Sequence, residues 1–279
     1  MLEETLLNLL TPCVNACKNI TIRGRDSDGG YATCQDVLDK KPSILAGFSF
    51  GINGRDSWGH ATSRLSSVPV YEFDCFATTP PTPPSGTNMT FSAECVGSRH
   101  SISSQGRTFR SVREFVTQNA GVHLPLPRSR LVMKMDIEGA EYDAILDMSE
   151  ETLRSFRHMN FEFHGIAPSG NACRMYHRKV DCWKNVHSLQ DTVRFLAAVH
   201  RWFVLIDVHG NNWFGAQNVS GWTVPEFVEL AYVNRDSLPS KFVCEPMDPR
   251  LINTYHKPNM PKRPEIATLS PYAQKSKSS

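Results

Sequence analysis

Hydrophobic positions along this chain follow two rhythms. Short apolar runs of strand length lie at Ser43–Phe50, Val68–Phe73, Met89–Val96, Arg130–Met135, His158–Phe163, Phe203–Val208 and Pro225–Val233. Several are apolar at nearly every position, the pattern of strands buried on both faces. Between them the spacing becomes helical. Phe109, Val112, Phe115 and Val116 mark a helix over Thr108–Asn119, and Leu189, Val193, Leu196, Ala197 and His200 mark another over Ser188–His200. Ala140–Leu146 and Ser149–Phe156 read as shorter helices, and Met1–Leu10 as an amphipathic one. Strands alternating with helices predict an α/β fold with a mostly parallel sheet and helices on both faces. No helix separates the sixth and seventh runs, which predicts a final antiparallel strand.

The centre of this pattern is Leu131 to Leu146. A buried strand ends at Asp136 and Glu138, Gly139 turns the chain, and a helix follows. Acidic groups at the carboxyl end of a parallel strand sit where open α/β sheets bind ligands, although two carboxylates can also simply favour a helix start. A second candidate is the turn after the first run, with Gly51, Ile52, Asn53 and Gly54, where glycine lets a ligand approach the backbone. It is neither G-x-G-x-x-G nor a P-loop. Asp74 lies 23 residues beyond Gly51, past the second run, the position from which a carboxylate can accept both hydroxyls of a ribose. Glu162 and His164 alternate onto one side at the end of the fifth run. His209, Asn211, Asn212 and Trp213 follow the sixth as a recognition loop or a plain turn. Asp136, Glu138, His164 and His209 are metal-competent types, but no spacing demands a metal, and none is expected.

Composition narrows the field only a little. With 279 residues, 40% hydrophobic and 21% charged, the chain can bury a large core. A formal charge of +2 gives no reason to expect nucleic acid, and no apolar run has the length of a membrane span. Eight cysteines permit disulfides without fixing any; Cys13 and Cys17 lack a second half for a zinc site. Three N-x-S/T sequons, at Asn19, Asn88 and Asn218, compare with about two expected by chance. The compartment stays open between the cytoplasm and a secretory lumen, and the oligomeric state is unassigned. The Pro-rich stretch Thr79–Gly86 reads as a surface loop, and residues 257–279 as a disordered tail.

Four blocks resemble the FkbM-type methyltransferases, in particular their eukaryotic methyltransferase-like branch. Lys134-Met135-Asp136-Ile137-Glu138-Gly139-Ala140-Glu141 matches that family's signature nearly letter for letter. Ser49-Phe50-Gly51-Ile52, Val70-Tyr71-Glu72-Phe73-Asp74 and Glu162-Phe163-His164 are similar to its first-strand, second-strand and Glu-x-His blocks. Asp28-Gly29-Gly30-Tyr31 and Glu229-Leu230-Ala231-Tyr232-Val233 resemble its lead-in and closing strand. The sequence departs from the family at Ser57-Trp58-Gly59, where relatives often carry Ser-Phe-Glu, and at Asp74-Cys75-Phe76, where many continue Asp-Pro-Thr.

The resemblance implies a class I Rossmann-like methyltransferase with a seven-stranded sheet, spanning 23–256 after a lead-in of residues 1–22. It implies S-adenosylmethionine as cofactor, near Gly51, Ile52, Asn53, Gly54, Asp74 and Asp136. O-methylation of a sugar or other small-molecule or glycan hydroxyl is the leading expectation by analogy. Removing the hydroxyl proton falls first to His164, whose type titrates near neutrality, and then to Asp136, with Glu162 beside them and His209 closing over the substrate. Two other readings stand beside this one: a catalytically silent methyltransferase-like module that binds cofactor or a partner, and a nicotinamide-dependent oxidoreductase.

Overall fold

A computed structural model describes residues 1–25, 27–166, 187–213, 215–248, 252, 256–259, 261, 265–266 and 268–270. Cys173 and Cys182 lie outside this set. The central sheet has seven strands: β1 Ala46–Phe50, β2 Val70–Phe73, β3 Met89–Ser92, β4 Leu131–Met135, β5 Phe156–His164, β6 Phe203–Gly210 and β7 Phe227–Asn234. Their order is β6-β7-β5-β4-β1-β2-β3. Pairs β1–β2, β2–β3, β1–β4 and β4–β5 are parallel, and β7 runs antiparallel to both β5 and β6. Every position of β1, β4, β5, β6 and β7 is buried, as runs apolar on both faces require. The edge strand β3 is part-exposed. The chain winds outward in one direction from β1 through β2 and β3, and in the other from β4. The β1–β4 boundary is therefore the switch point of the sheet.

Helices α1 Leu2–Leu9, α2 Gln35–Leu38, α3 Ser57–Ser66, α4 Val112–Asn119, α5 Glu141–Leu146, α6 Glu150–Ser155 and α7 Leu189–His200 complete the framework. Several begin on side chains suited to orphan amides. Ser111 and Ser188 form capping boxes with Glu114 and Asp191, and Asp56 accepts the Gly59 N–H at 2.7 Å. The largest core cluster joins aromatic residues of β1, β2, α4, β5 and α7 and takes in Leu6 and Leu10 from the amino terminus.

Several expected boundaries move. The third run divides: Met89–Ser92 is β3, while Cys95–Val96 joins Ser101–Ile102 and Thr108–Arg110 in a separate small sheet. The helix expected from Thr108 begins at Val112, because Ser111 caps it and the three residues before it pair as a strand. β5 starts two residues early and takes in Phe156 and Arg157. A hydropathy pattern does not register a buried arginine whose donors are satisfied, and Arg157 donates to the carbonyls of Ser129, Lys40 and Pro42. A small hairpin, Ala216–Val219 with Trp222–Pro225, precedes β7 and shortens its start to Phe227.

Both flanks pack onto the sheet. Ile20–Arg23 pairs antiparallel with Tyr31–Cys34, so a boundary at 22/23 falls inside a strand. Disulfides join Cys13 to Cys244, Cys17 to Cys34 and Cys75 to Cys95. Beyond residue 257, where disorder was expected, Asn259, Thr268 and Leu269 are buried. Leu269 N–H donates to the Thr223 carbonyl and Thr223 N–H to that of Ser270, both at 2.8 Å. Proline-rich composition argues against regular structure there, but not against a segment pinned by specific bonds.

Candidate active site at the carboxyl edge of the sheet

Where β1 and β4 end side by side, their loops touch. Gly51 has φ +75°, and a Cβ on it would lie 1.6 Å from the Asp136 carbonyl oxygen. Only glycine fits this contact. Asn53 and Gly54 continue the turn at positive φ. Asp74 fastens it: one carboxylate oxygen accepts the Ile52 and Asn53 N–H groups at 3.1 and 2.8 Å, and the other accepts those of Phe76 and Ala77 at 2.8 and 2.9 Å. The acid expected to meet a ribose thus holds four backbone amides.

The β4 side of the junction is ionic. Lys134 is buried, donates to the Gly51 carbonyl and pairs with Asp136 at 3.0 Å. Burial works to lower the lysine pKa, but Asp136 and Asp56 outweigh it and the net shift is upward. The following loop carries Glu138 at φ +59° and Gly139 at +98°. Fully buried Glu141, at the start of α5, latches this loop by accepting the Ile137 and Gly139 N–H groups at 2.8 Å each.

Glu141 also meets His164 from the end of β5, Oε1 to Nδ1 at 3.1 Å. The other ring nitrogen lies 3.5 Å from Glu138 and 3.8 Å from Asp136. Burial alone would lower the imidazole pKa, but Glu141, then Glu162 and Asp136, raise it to about 10. His164 is therefore a buried imidazolium at neutral pH. It is not a base waiting for a proton, contrary to the expectation from its residue type.

A cavity of about 380 Å³ opens over this junction. Gly51, Ile52 and Asn53 line one side, Lys134, Asp136 and Glu138 the floor, and Glu162 the β5 wall. Asn211 and Trp213 close it from the β6 loop, and Asn211 donates to Glu162 at 2.6 Å. Burial, and then Asp136, push the Glu162 pKa well above the ordinary carboxyl range. The remaining wall comes from Arg25, Asp28, Gly29 and Tyr31 of the amino-terminal hairpin, and from Asp56, Ser57 and Trp58 at the start of α3.

The fold thus brings Gly51, Ile52, Asn53, Asp136 and Glu162 to one cavity. Gly54 shapes the turn without lining it, while Asp74 and His164 act from behind. His209 stands apart from the cavity. It is clamped between Glu229 at 2.8 Å and Glu265 at 3.0 Å, which raise its pKa to about 10 against the effect of burial. It ties the carboxyl-terminal segment to β6 and β7 instead of closing over a substrate. Glu141 and the hairpin wall had no assigned role in the sequence. Their signal was present in the last residue of the signature block and in Asp28-Gly29-Gly30-Tyr31.

Among the described residues, three groups without a disulfide could hold a cation, their ligand atoms lying within 4.8 Å of one another: Asp28–Glu162–Glu229, Asp136–Glu138–His164 and His209–Glu229–His256. The histidines already have proton-sharing partners, His256 being 2.7 Å from Asp207, so a metal there must displace protons. In the fourth such group, Cys17 and Cys34 are joined as a disulfide.

No family model and no curated protein matches the chain. One solved structure, described as "Conversion of a Disulfide Bond into a Thioacetal Group during Echinomycin Biosynthesis", aligns over 74% of this chain and 82% of its own, at 12% identity and a TM-score of 0.33. A likeness of that size does not carry a functional argument.

Proposed function

We propose that the chain is an S-adenosylmethionine-dependent methyltransferase of the class I Rossmann-like type, akin to the FkbM family, acting on a hydroxyl of a sugar or other small acceptor. The observation that carries this reading is a cavity at the β1–β4 switch point of a parallel sheet completed by an antiparallel β7 between β5 and β6. The charge of the cavity adds support. Five carboxyl side chains, Asp28, Asp56, Asp136, Glu138 and Glu162, line it against three cationic ones, Arg25, Arg55 and Lys134. A lining richer in carboxyl groups than in cations offers acceptors to an ammonium and few partners to the diphosphate of a nicotinamide cofactor.

The cofactor, when bound, supplies an electrophilic methyl group. The chain's own part is to position the acceptor in line and take its proton. Glu162 is the side chain we assign to that proton: it lines the cavity and accepts from Asn211 at 2.6 Å, and because burial raises its pKa it acts only in its ionised form, whose share grows as pH rises. Asp136, fixed by Lys134, is placed to meet the cofactor's cationic end. His164 supports both from behind as a cation.

Calorimetric titration of S-adenosylhomocysteine into the purified chain tests the reading. Micromolar binding is expected. Asp136→Ala should weaken it at least about tenfold, or about 1.4 kcal/mol. Glu162→Gln should bind within about threefold of wild type while methyl transfer across a panel of hydroxyl acceptors falls by at least about 10²-fold. Preferential binding of a nicotinamide dinucleotide would overturn the proposal. One observation favours the silent-module reading, the commitment of Asp74 to four amides. Binding of S-adenosylhomocysteine with no turnover on any acceptor would select it.

A further inference from the structure

We propose that Asn19, Asn88 and Asn218 carry N-linked glycans and that the chain matures in an oxidising, secretory lumen. Two independent observations meet here. The first is the position of the sequons. All three asparagines are exposed, whereas Asn160, Asn211, Asn212, Asn234 and Asn259 are buried and none of those five has Ser or Thr two residues on. Each sequon asparagine is thus open to modification, although Asn8, Asn15 and Asn53 are exposed without being sequons.

Each of the three lies in or beside a short strand at the surface. At Asn19, just before the hairpin, the backbone N–H is held by Asp36 and the carbonyl by Gln35 N–H, and the residue is exposed. At Asn218, the side-chain oxygen accepts the Gly221 N–H at 2.8 Å, which holds the tip of the small hairpin. Its Nδ2 is the atom a glycan takes, so glycosylation leaves that bond intact. Asn88 immediately precedes β3, the edge of the central sheet, which among the described residues pairs only with β2. A glycan there would cover the open edge and so hinder edge-to-edge pairing.

The second observation is the three disulfides among the described residues. Cys13–Cys244 spans 231 residues and fastens the amino terminus to the segment beyond β7. Cys17–Cys34 closes the cavity-lining hairpin, and Cys75–Cys95 ties the β2 loop to the small sheet. Such bonds persist in oxidising compartments and are rare in a reducing cytosol. The chemistry is that of the lumen. Each disulfide forms by loss of two electrons and two protons from a thiol pair to a thiol–disulfide oxidant. Each glycan forms when asparagine Nδ2 bonds to C1 of a sugar held on a lipid diphosphate. The C1–O bond breaks, the diphosphate leaves with the electron pair, and the amide gives up one proton.

The test uses the endogenous protein isolated from its natural source. Peptide-N-glycosidase treatment should convert Asn19, Asn88 and Asn218, and no other asparagine, to aspartate. Cys13, Cys17, Cys34, Cys75, Cys95 and Cys244 should resist alkylation until reduced. In cells expressing the natural gene, Thr21→Ala, Thr90→Ala and Ser220→Ala should each remove one glycan while S-adenosylhomocysteine binding stays within about twofold. Unmodified asparagines, or thiols free to alkylate in the native protein, would overturn the proposal. Because these readouts are independent of turnover, they separate it from the methyl-transfer reading.

Discussion

The two ends of β5 place the same residue type under opposite rules. His158, near the amino end, is 2% exposed; its Nε2 accepts the Cys34 N–H at 3.2 Å, and the Arg23 guanidinium is close by. Burial first, and then Arg23, lower its pKa to about 3, so it is neutral. His164, at the carboxyl end, is 6% exposed and charged, with its pKa raised to about 10. Equal burial gives opposite charge because the partners differ. At the amino end, buried polar groups are closed by the protein's own backbone, as Arg157 is by three carbonyls. At the carboxyl end, carboxyl groups exceed cations and face a cavity. That asymmetry, more than any single residue, marks the carboxyl edge as the place for a ligand.

The most severe way to break the contrast is Glu141→Gln. This side chain is fully buried and pairs with the His164 imidazolium. Glutamine can keep one of the two latching amide bonds but cannot offset the ring's charge. Removing one member of a buried pair costs roughly 3–5 kcal/mol. Denaturant unfolding should show a loss of that size with an unchanged m-value. A loss below about 1 kcal/mol would mean that His164 is neutral in the wild-type protein.

The pH dependence of stability separates the two ends directly. The folded-state pKa of His164, about 10, lies above its ordinary 6.5. Its contribution is therefore complete below pH 6.5 and is lost as pH rises toward 10. That of His158, about 3, lies below 6.5, so its contribution is present above pH 6.5 and is lost as pH falls toward 3. His158→Gln should flatten the acid limb of the stability profile and spare the alkaline one; His164→Gln should do the reverse. His200, lowered to about 4, and His209, raised to about 10, keep part of each limb in the single variants. Thermal unfolding across pH 4 to 10 reads both limbs, and a crossed result would invert the assignment.

What could be read from the sequence follows the same division. Strands buried on both faces announce themselves as apolar runs, so β1, β2 and β4 lie close to where the pattern puts them. Gly51 and Asp136 were legible because a turn glycine and a strand-end acid are local signals. The state of His164 was not, because it depends on Glu141, 23 residues earlier, and on Asp136 across the β4–β5 boundary. The hairpin wall was hidden for a related reason: Asn160 of β5 donates to the Ala32 carbonyl at 2.7 Å and accepts from Trp58 at 3.2 Å, contacts between distant segments. His209 looked like a recognition residue because its partner Glu265 sits in a proline-rich stretch with no regular pattern.

The finest test compares two partners of one ring. Glu138 approaches His164 at 3.5 Å, nearly as close as Glu141, but its side chain is 61% exposed while that of Glu141 is 0%. Water screens the first pair and not the second. Glu138→Gln should therefore change stability by no more than about 0.5 kcal/mol. It should also lower the His164 pKa slightly, as followed by the ring proton resonances. If Glu138→Gln costs as much as Glu141→Gln, distance alone sets the strength of these pairs. The charge of His164 would then belong to the whole acidic edge, not to the one buried latch beneath it.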